Sequence, residues 1–237
     1  MKNKILSLIV LMGLFSVSPA ISAYASGEYD TADPLFLVRS NDMLSETGIN
    51  FMDDIIRISQ KVSYGLNNRL VLNADMNYQE DLNGREDGFS NFRLGGIYRM
   101  SSGSNIISDA LFGIKFSGSS RVHDPEYSDT VYHAGVRMGR QWSRFTLAGT
   151  LKTSWIFDEH RGMAFINFVP EAYLRITDNW MTGFGFDFRK STDPRFDQEW
   201  MNFQLVRRYG RTQYIGTMGY EFESAKYQAG VRVNILF

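Results

Sequence analysis

Residues Tyr227 to Phe237 read YQAGVRVNILF. Tyr227, Ala229, Val231, Val233, Ile235 and Phe237 fall on one side of an extended chain, and Gln228, Gly230, Arg232, Asn234 and Leu236 on the other. Successive side chains of a strand point to opposite faces, so a period of two predicts a strand. This one has an apolar face and a largely polar face, and it finishes on an aromatic ring.

The alternation runs back through most of the chain. Trp180, Thr182, Phe184, Phe186 and Phe188 oppose Met181, Gly183, Gly185 and Asp187. Phe145, Leu147, Gly149, Leu151, Thr153 and Trp155 oppose Arg144, Thr146, Ala148, Thr150, Lys152 and Ser154. Little helical periodicity competes with it. The pattern predicts twelve strands over 43–51, 54–65, 69–78, 89–100, 106–117, 130–141, 144–157, 163–176, 179–189, 199–209, 211–222 and 226–237, with ten as the alternative count. Leu35 to Ser40 competes as a first strand. Pro170 falls inside the eighth, so its missing N–H requires a bulge or a local break in the ladder. Connections alternate between short turns, such as 66–68, 141–143, 177–178 and the one around Gly210, and longer polar loops at 79–88, 118–129, 158–162 and 190–198. Asp53 and Ser224-Ala225 are tight turns on the long-loop side. This is the connectivity of an antiparallel up-and-down meander.

The first residues, MKNKILSLIVLMGLFSVSPAISAYA, pair Lys2 and Lys4 with an apolar run from Ile5 to Phe15 and a small-x-small site at Ala23-Tyr24-Ala25. That is the pattern of a cleaved secretory signal peptide over 1–25. The apolar run is too short to span a bilayer as a helix, which takes about 20 residues. The expected organisation is a signal peptide, an N-terminal periplasmic segment over 26–42, and a barrel over 43–237. Residues 26–42 are too few for an autotransporter passenger; they either pack at the periplasmic mouth or stay mobile.

The chain has no cysteine, so disulfides, thiolate nucleophiles, cysteine metal sites and lipoprotein processing are excluded. A formal net charge of -1 argues against a nucleic-acid partner. Mean hydropathy is -0.25, which alternation reconciles with a membrane protein because half of every strand is polar. One face carries Arg57, Lys61, Arg93, Arg99, Lys115, Arg137, Lys152, Arg175, Arg189, Arg208 and Arg232, with Asp75, Asp109, Glu171, Asp187 and Glu221. A transmembrane barrel turns such a face to a wet lumen and the apolar face to lipid. Strands of about 9–12 residues match a tilted crossing. Tyr64, Tyr78 and Tyr98 lie near strand ends, as do the girdle residues Trp142, Trp155, Trp180, Tyr209 and Tyr227, where interfacial aromatics belong. Closure follows, because an open edge in hydrocarbon leaves backbone groups unpaired.

The last eleven residues resemble the C-terminal signature of Gram-negative outer-membrane barrels, an alternating strand that ends on an aromatic residue. The resemblance implies that Phe237 is the signal read by the barrel assembly machinery, and that it lies at the periplasmic end with the short turns. Outer-membrane lipid and lipopolysaccharide are then the surroundings. In size and charge the chain is similar to the oligogalacturonate-specific porin family, which is twelve-stranded, lacks a passenger domain and has a basic lumen for acidic oligosaccharides. This implies a narrow channel for small solutes, anionic ones included, with no cofactor and no metal. The alternative for the same charges is mutual pairing that fills the lumen of a non-conducting structural or surface-interaction barrel.

A hydrolase needs a catalytic constellation. Outer-membrane phospholipases and lipid A deacylases use His-x-Ser, and His133 is followed by Ala134 and Gly135. Omptin proteases use Asp-x-His with paired acids. Asp158-Glu159-His160 matches the spacing, but the partner Asp-x-Asp is missing and Asp53-Asp54 is a poor substitute. His123, His133 and His160 are scattered and do not form a metal site. The segment 81–87 (DLNGRED) lacks the spacing of a calcium loop. No catalytic residue is assigned.

Overall fold

The computed structural model describes residues 30–53, 55–83, 88–102, 106–117, 129–156 and 162–237. The signal peptide, His123 and Asp158-Glu159-His160 lie outside them. The described residues form β1 (Met43–Met52), β2 (Ile55–Gly65), β3 (Leu70–Asp81), β4 (Gly88–Ser102), β5 (Ile107–Phe116), β6 (Val131–Gln141), β7 (Phe145–Ile156), β8 (Met163–Arg175), β9 (Trp180–Ser191), β10 (Gln198–Tyr209), β11 (Thr212–Glu221) and β12 (Tyr227–Leu236).

Every strand pairs with its sequence neighbours, and β1 pairs with β12, so the sheet closes into an antiparallel barrel. The seam runs in register from Leu44 opposite Leu236 to Met52 opposite Gln228. Phe237 extends it: its N–H donates to the Met43 carbonyl at 2.8 Å. Closure leaves no free edge, the condition hydrocarbon imposes. Leu35 to Ser40 form no strand; the first strand begins at Met43. Around Pro170 the β8–β9 ladder is interrupted at Val169 and Pro170 and resumes in the same register, from Phe168 opposite Phe188 to Glu171 opposite Gly185. The proline thus sits in a local break, while its β7 side pairs normally with Gly149.

The turns have local chemical causes. The Asn67 side-chain oxygen accepts from the N–H groups of Arg69 (2.8 Å) and Leu70 (2.9 Å), bending the chain between β2 and β3. Thr177 does the same for Asn179 and Trp180 between β8 and β9. Gly210 adopts φ +58° between β10 and β11, a conformation that costs an L-residue roughly 1–2 kcal/mol. Gly210→Ala is therefore expected to destabilise the barrel by about 1 kcal/mol, and Gly210→Asn by less, read from urea midpoints of refolded protein in detergent.

The outer wall is an apolar belt. Leu72, Met76, Leu94, Phe112, Leu147, Leu151, Phe168, Phe184, Phe203, Tyr214 and Val231 are all exposed on it. Aqueous solvent would penalise such a surface by roughly 25 cal/mol per Å²; lipid would not. Tyr64, Tyr98, Trp142, Trp180 and Tyr209 ring the short-turn end, and Tyr78, Trp155 and Tyr227 the long-loop end. Tyr209 and Tyr227 are the most exposed, at 70% and 69%. Arg140 lies over the Trp142 ring at 5.1 Å and Arg207 over Trp180 at 5.5 Å, an arrangement that suits an interface where cations reach for headgroups.

The inner wall departs from a uniformly polar face. At the short-turn end Leu44, Val71, Met181, Val206, Ile215 and Leu236 point inward and are buried. They receive a strap, residues 30–38, in which Ala32, Leu35 and Val38 are buried. At the long-loop end Val131, Ile156, Met163 and Phe165 form a second inner cluster. It is covered by Phe196 of a 3-10 turn, Pro194–Phe196. Inward apolar residues at strand ends thus serve as seats for chain that folds into the barrel.

Candidate functional site: a charged lumen

Between these two seats the inner wall is charged. Asp109 on β5 is fully buried and bridges two arginines. Arg99 on β4 donates through Nε (2.7 Å) and Nη2 (3.2 Å). Arg137 on β6 donates through Nε (2.9 Å) and, at closer range, through Nη2. The β4–β5 ladder shifts register between Arg99 and Ser101, and Arg99 stands directly opposite Asp109. On β1, Glu46 lies between Lys61, with which it forms a hydrogen-bonded ion pair, and Arg232 at 3.9 Å. Arg93 meets Asp75 at 2.5 Å. Arg57 donates to Gln79 at 3.1 Å.

Three spaces that share lining residues follow the lumen. The first, about 340 Å³, lies against the strap and is lined by Glu46, Lys61, Arg93, Arg137, Lys152 and Arg232 among others. The second, also about 340 Å³, is lined by Asn50, Ser59, Asp187, Asn202 and Gln228. The two share Glu171, Gln204 and Arg232, which stand where they adjoin. Gln204 is held there by its side-chain N–H donating to the Tyr173 hydroxyl at 2.7 Å. The third space, about 170 Å³ near the long loops, is lined by Lys115, Lys152, Asn167, Asp187, Arg189, Gln198 and Trp200. It shares Lys152 with the first and Asp187 with the second.

Other sequence-selected residues sit at the ends. Arg175 and Arg208 converge on Asp30 at the short-turn mouth. Glu221 is buried at the long-loop end, where Ser224 donates to it. His133 lies across Gly113, whose missing Cβ would fall 2.5 Å from the imidazole Cε1, so the ring fills space beside β5. Among the described residues no group of three or more His, Asp and Glu could hold a metal ion.

Several residues escape the alternation argument. Glu46, Asp30 and Asp33 are acids that the strand-by-strand count omits, so the cationic surplus at the wall is smaller than the eleven-to-five tally. Asp33 carries no strand periodicity to reveal it; it accepts from Thr146 at 2.6 Å and Gln141 at 3.0 Å. Trp200 is an inward tryptophan, legible only from its parity with Asn202 and Gln204.

The geometry is a closed twelve-stranded barrel with an apolar exterior and a charged interior, a fold shared with solved outer-membrane porins. No family model and no curated protein matches the chain. Solved structures do. The KdgM porin matches with TM-score 0.63 and 13% identity, covering 81% of this chain and 98% of that one. The NanC porin matches with TM-score 0.65 and 9% identity over the same shares. A KdgM structure in complex with disordered oligogalacturonate aligns at TM-score 0.60 and 13% identity.

Proposed function

We propose that the protein is an outer-membrane channel for small anionic solutes, carboxylated saccharides in particular, with its short turns in the periplasm. The observation that carries this is a track of cations along three lumen spaces that share lining residues. Lys115, Lys152 and Arg189 lead from the long loops to Arg137 and Arg232. A lumen with a surplus of one sign of charge between low-dielectric walls concentrates solutes of the opposite sign. Trp200 beside Lys115, Lys152 and Arg189 offers an aromatic face among donors suited to carboxylates. The likeness to KdgM, solved with oligogalacturonate, supports the same reading.

Purified protein in planar bilayers is expected to carry ohmic current with anion preference. The triple variant Lys115→Glu, Lys152→Glu, Arg189→Glu is expected to weaken that preference and any block by trigalacturonate. A second reading, a non-conducting wall barrel whose long loops face partners or lipopolysaccharide, is favoured by the strap across the short-turn mouth. Silence under every condition, including after removal of the strap, would establish it over the channel. Hydrolytic activity is not proposed.

A further inference from the structure

The strap crosses the short-turn mouth from wall to wall. Asp30 sits between Arg175 of β8 and Arg208 of β10, the latter at 3.1 Å. The Thr31 hydroxyl donates to Gln213 of β11 at 2.8 Å and accepts from Asn234 of β12 at 3.0 Å. Asp33 accepts from Gln141 of β6 and Thr146 of β7. Arg99 of β4 donates to the Leu35 carbonyl at 2.7 Å. These partners lie on opposite sides of the barrel, so the segment spans the opening rather than lining one side of it.

Its attachment is non-covalent, through hydrogen bonds, an ion-pair cluster at Asp30 and the buried Ala32, Leu35 and Val38. Over 30–38 the strap joins no strand ladder, and side chains make its contacts with the wall. The bend that leads it inward has identifiable parts. Asn41 takes φ +66°, and its N–H donates to the Gly65 carbonyl at 2.8 Å. The Arg39 carbonyl crosses so close to Gly65 that a Cβ there would lie 1.8 Å from its oxygen. Gly65 is therefore the notch through which the chain turns in. The latch has two carboxylates: Asp30 meets guanidinium groups of the same kind as Arg137 and Arg232 in the lumen, and Asp33 accepts from an amide and a hydroxyl.

We infer that residues 30–38 are a gate, closed here, whose withdrawal about the Arg39–Asn41 bend opens the short-turn mouth. The inference rests on the channel reading, and the experiment separates the two. Two independent perturbations target the gate in the full-length protein: Asp30→Asn with Asp33→Asn removes the latch, and Gly65→Ala blocks the notch. A third variant, Asp33→Cys with Thr146→Cys, allows the strap to be tied to the wall by a short, cleavable bifunctional thiol reagent, in a chain with no cysteine of its own. Folding of each is checked by heat-modified gel mobility.

Both opening variants are expected to raise time-averaged bilayer conductance roughly ten-fold, the effect of shifting a two-state equilibrium by one decade. Tying the strap is expected to abolish current, and cleaving the link to restore it. If tied and untied barrels conduct alike, the gate is overturned and the channel stands. If no folded variant conducts, opened ones included, the channel reading fails and takes the gate with it.

Discussion

Asp109→Ala is expected to destabilise the folded barrel by about 3–5 kcal/mol, the range for removing one partner of a buried ionic cluster. Asp109 has 0% exposure and accepts from both Arg99 and Arg137, whose side chains are only 12% and 13% exposed. Without it two guanidinium groups face each other across an empty acceptor in a low-dielectric wall. The cost is the stranded charge, not the lost attraction alone. Urea unfolding in detergent or lipid measures it. The control is the triple variant Asp109→Ala, Arg99→Met, Arg137→Met, which removes the charges together and is expected to recover most of the loss. A single variant as stable as the parent would show that water in the lumen already solvates the arginines.

Arg232→Glu is expected to produce the largest change in selectivity. Arg232 lines both main lumen spaces and stands where they adjoin, with Glu171 and Gln204. A unit charge about 8 Å from a passing ion, at an effective dielectric near 20, is worth about 2 kcal/mol before screening. Reversing its sign doubles the difference, and salt at 0.1 M takes part of it back over a Debye length of about 10 Å. The expected result is a roughly ten-fold fall in the anion-to-cation permeability ratio, from reversal potentials in a salt gradient. Arg137→Glu acts in the same direction. Reversal at Arg195, 72% exposed on the β9–β10 loop, is expected to change the ratio far less. An unchanged ratio for Arg232→Glu would remove this part of the lumen from the conduction path.

Alternation carries the wall of this protein because it is a local signal. The seventh strand is expected over 144–157 and observed at Phe145–Ile156; the eighth over 163–176 and observed at Met163–Arg175. The parity that puts Trp180 outside and Asp187 inside needs only neighbours in the chain. What lies inside the barrel needs partners far away. Asp30 meets residues 145 and 178 positions along the chain, and nothing in residues 30–42 has a period to announce it. One trace was present: Leu44, Met181, Val206, Ile215 and Leu236 are apolar at inward positions near one end of the barrel, which an open wet mouth would not select. The ion pairs were legible as residue types only. Which arginine reaches which carboxylate depends on stagger and bulges, such as the shift between Arg99 and Ser101, and alternation is blind to both.

The seam joins the first strand to the last. A nascent wall therefore carries two unsatisfied rims until residues near both ends of the barrel sequence have arrived and met. That pairing has the longest sequence separation in the sheet, and such contacts form late and slowly. The strap enters the bore beside this same seam, at Met43. A strand-by-strand insertion must hold it aside or thread it inward before the final zip, which makes β1 the point where timing of assembly and the resting position of the strap are decided together.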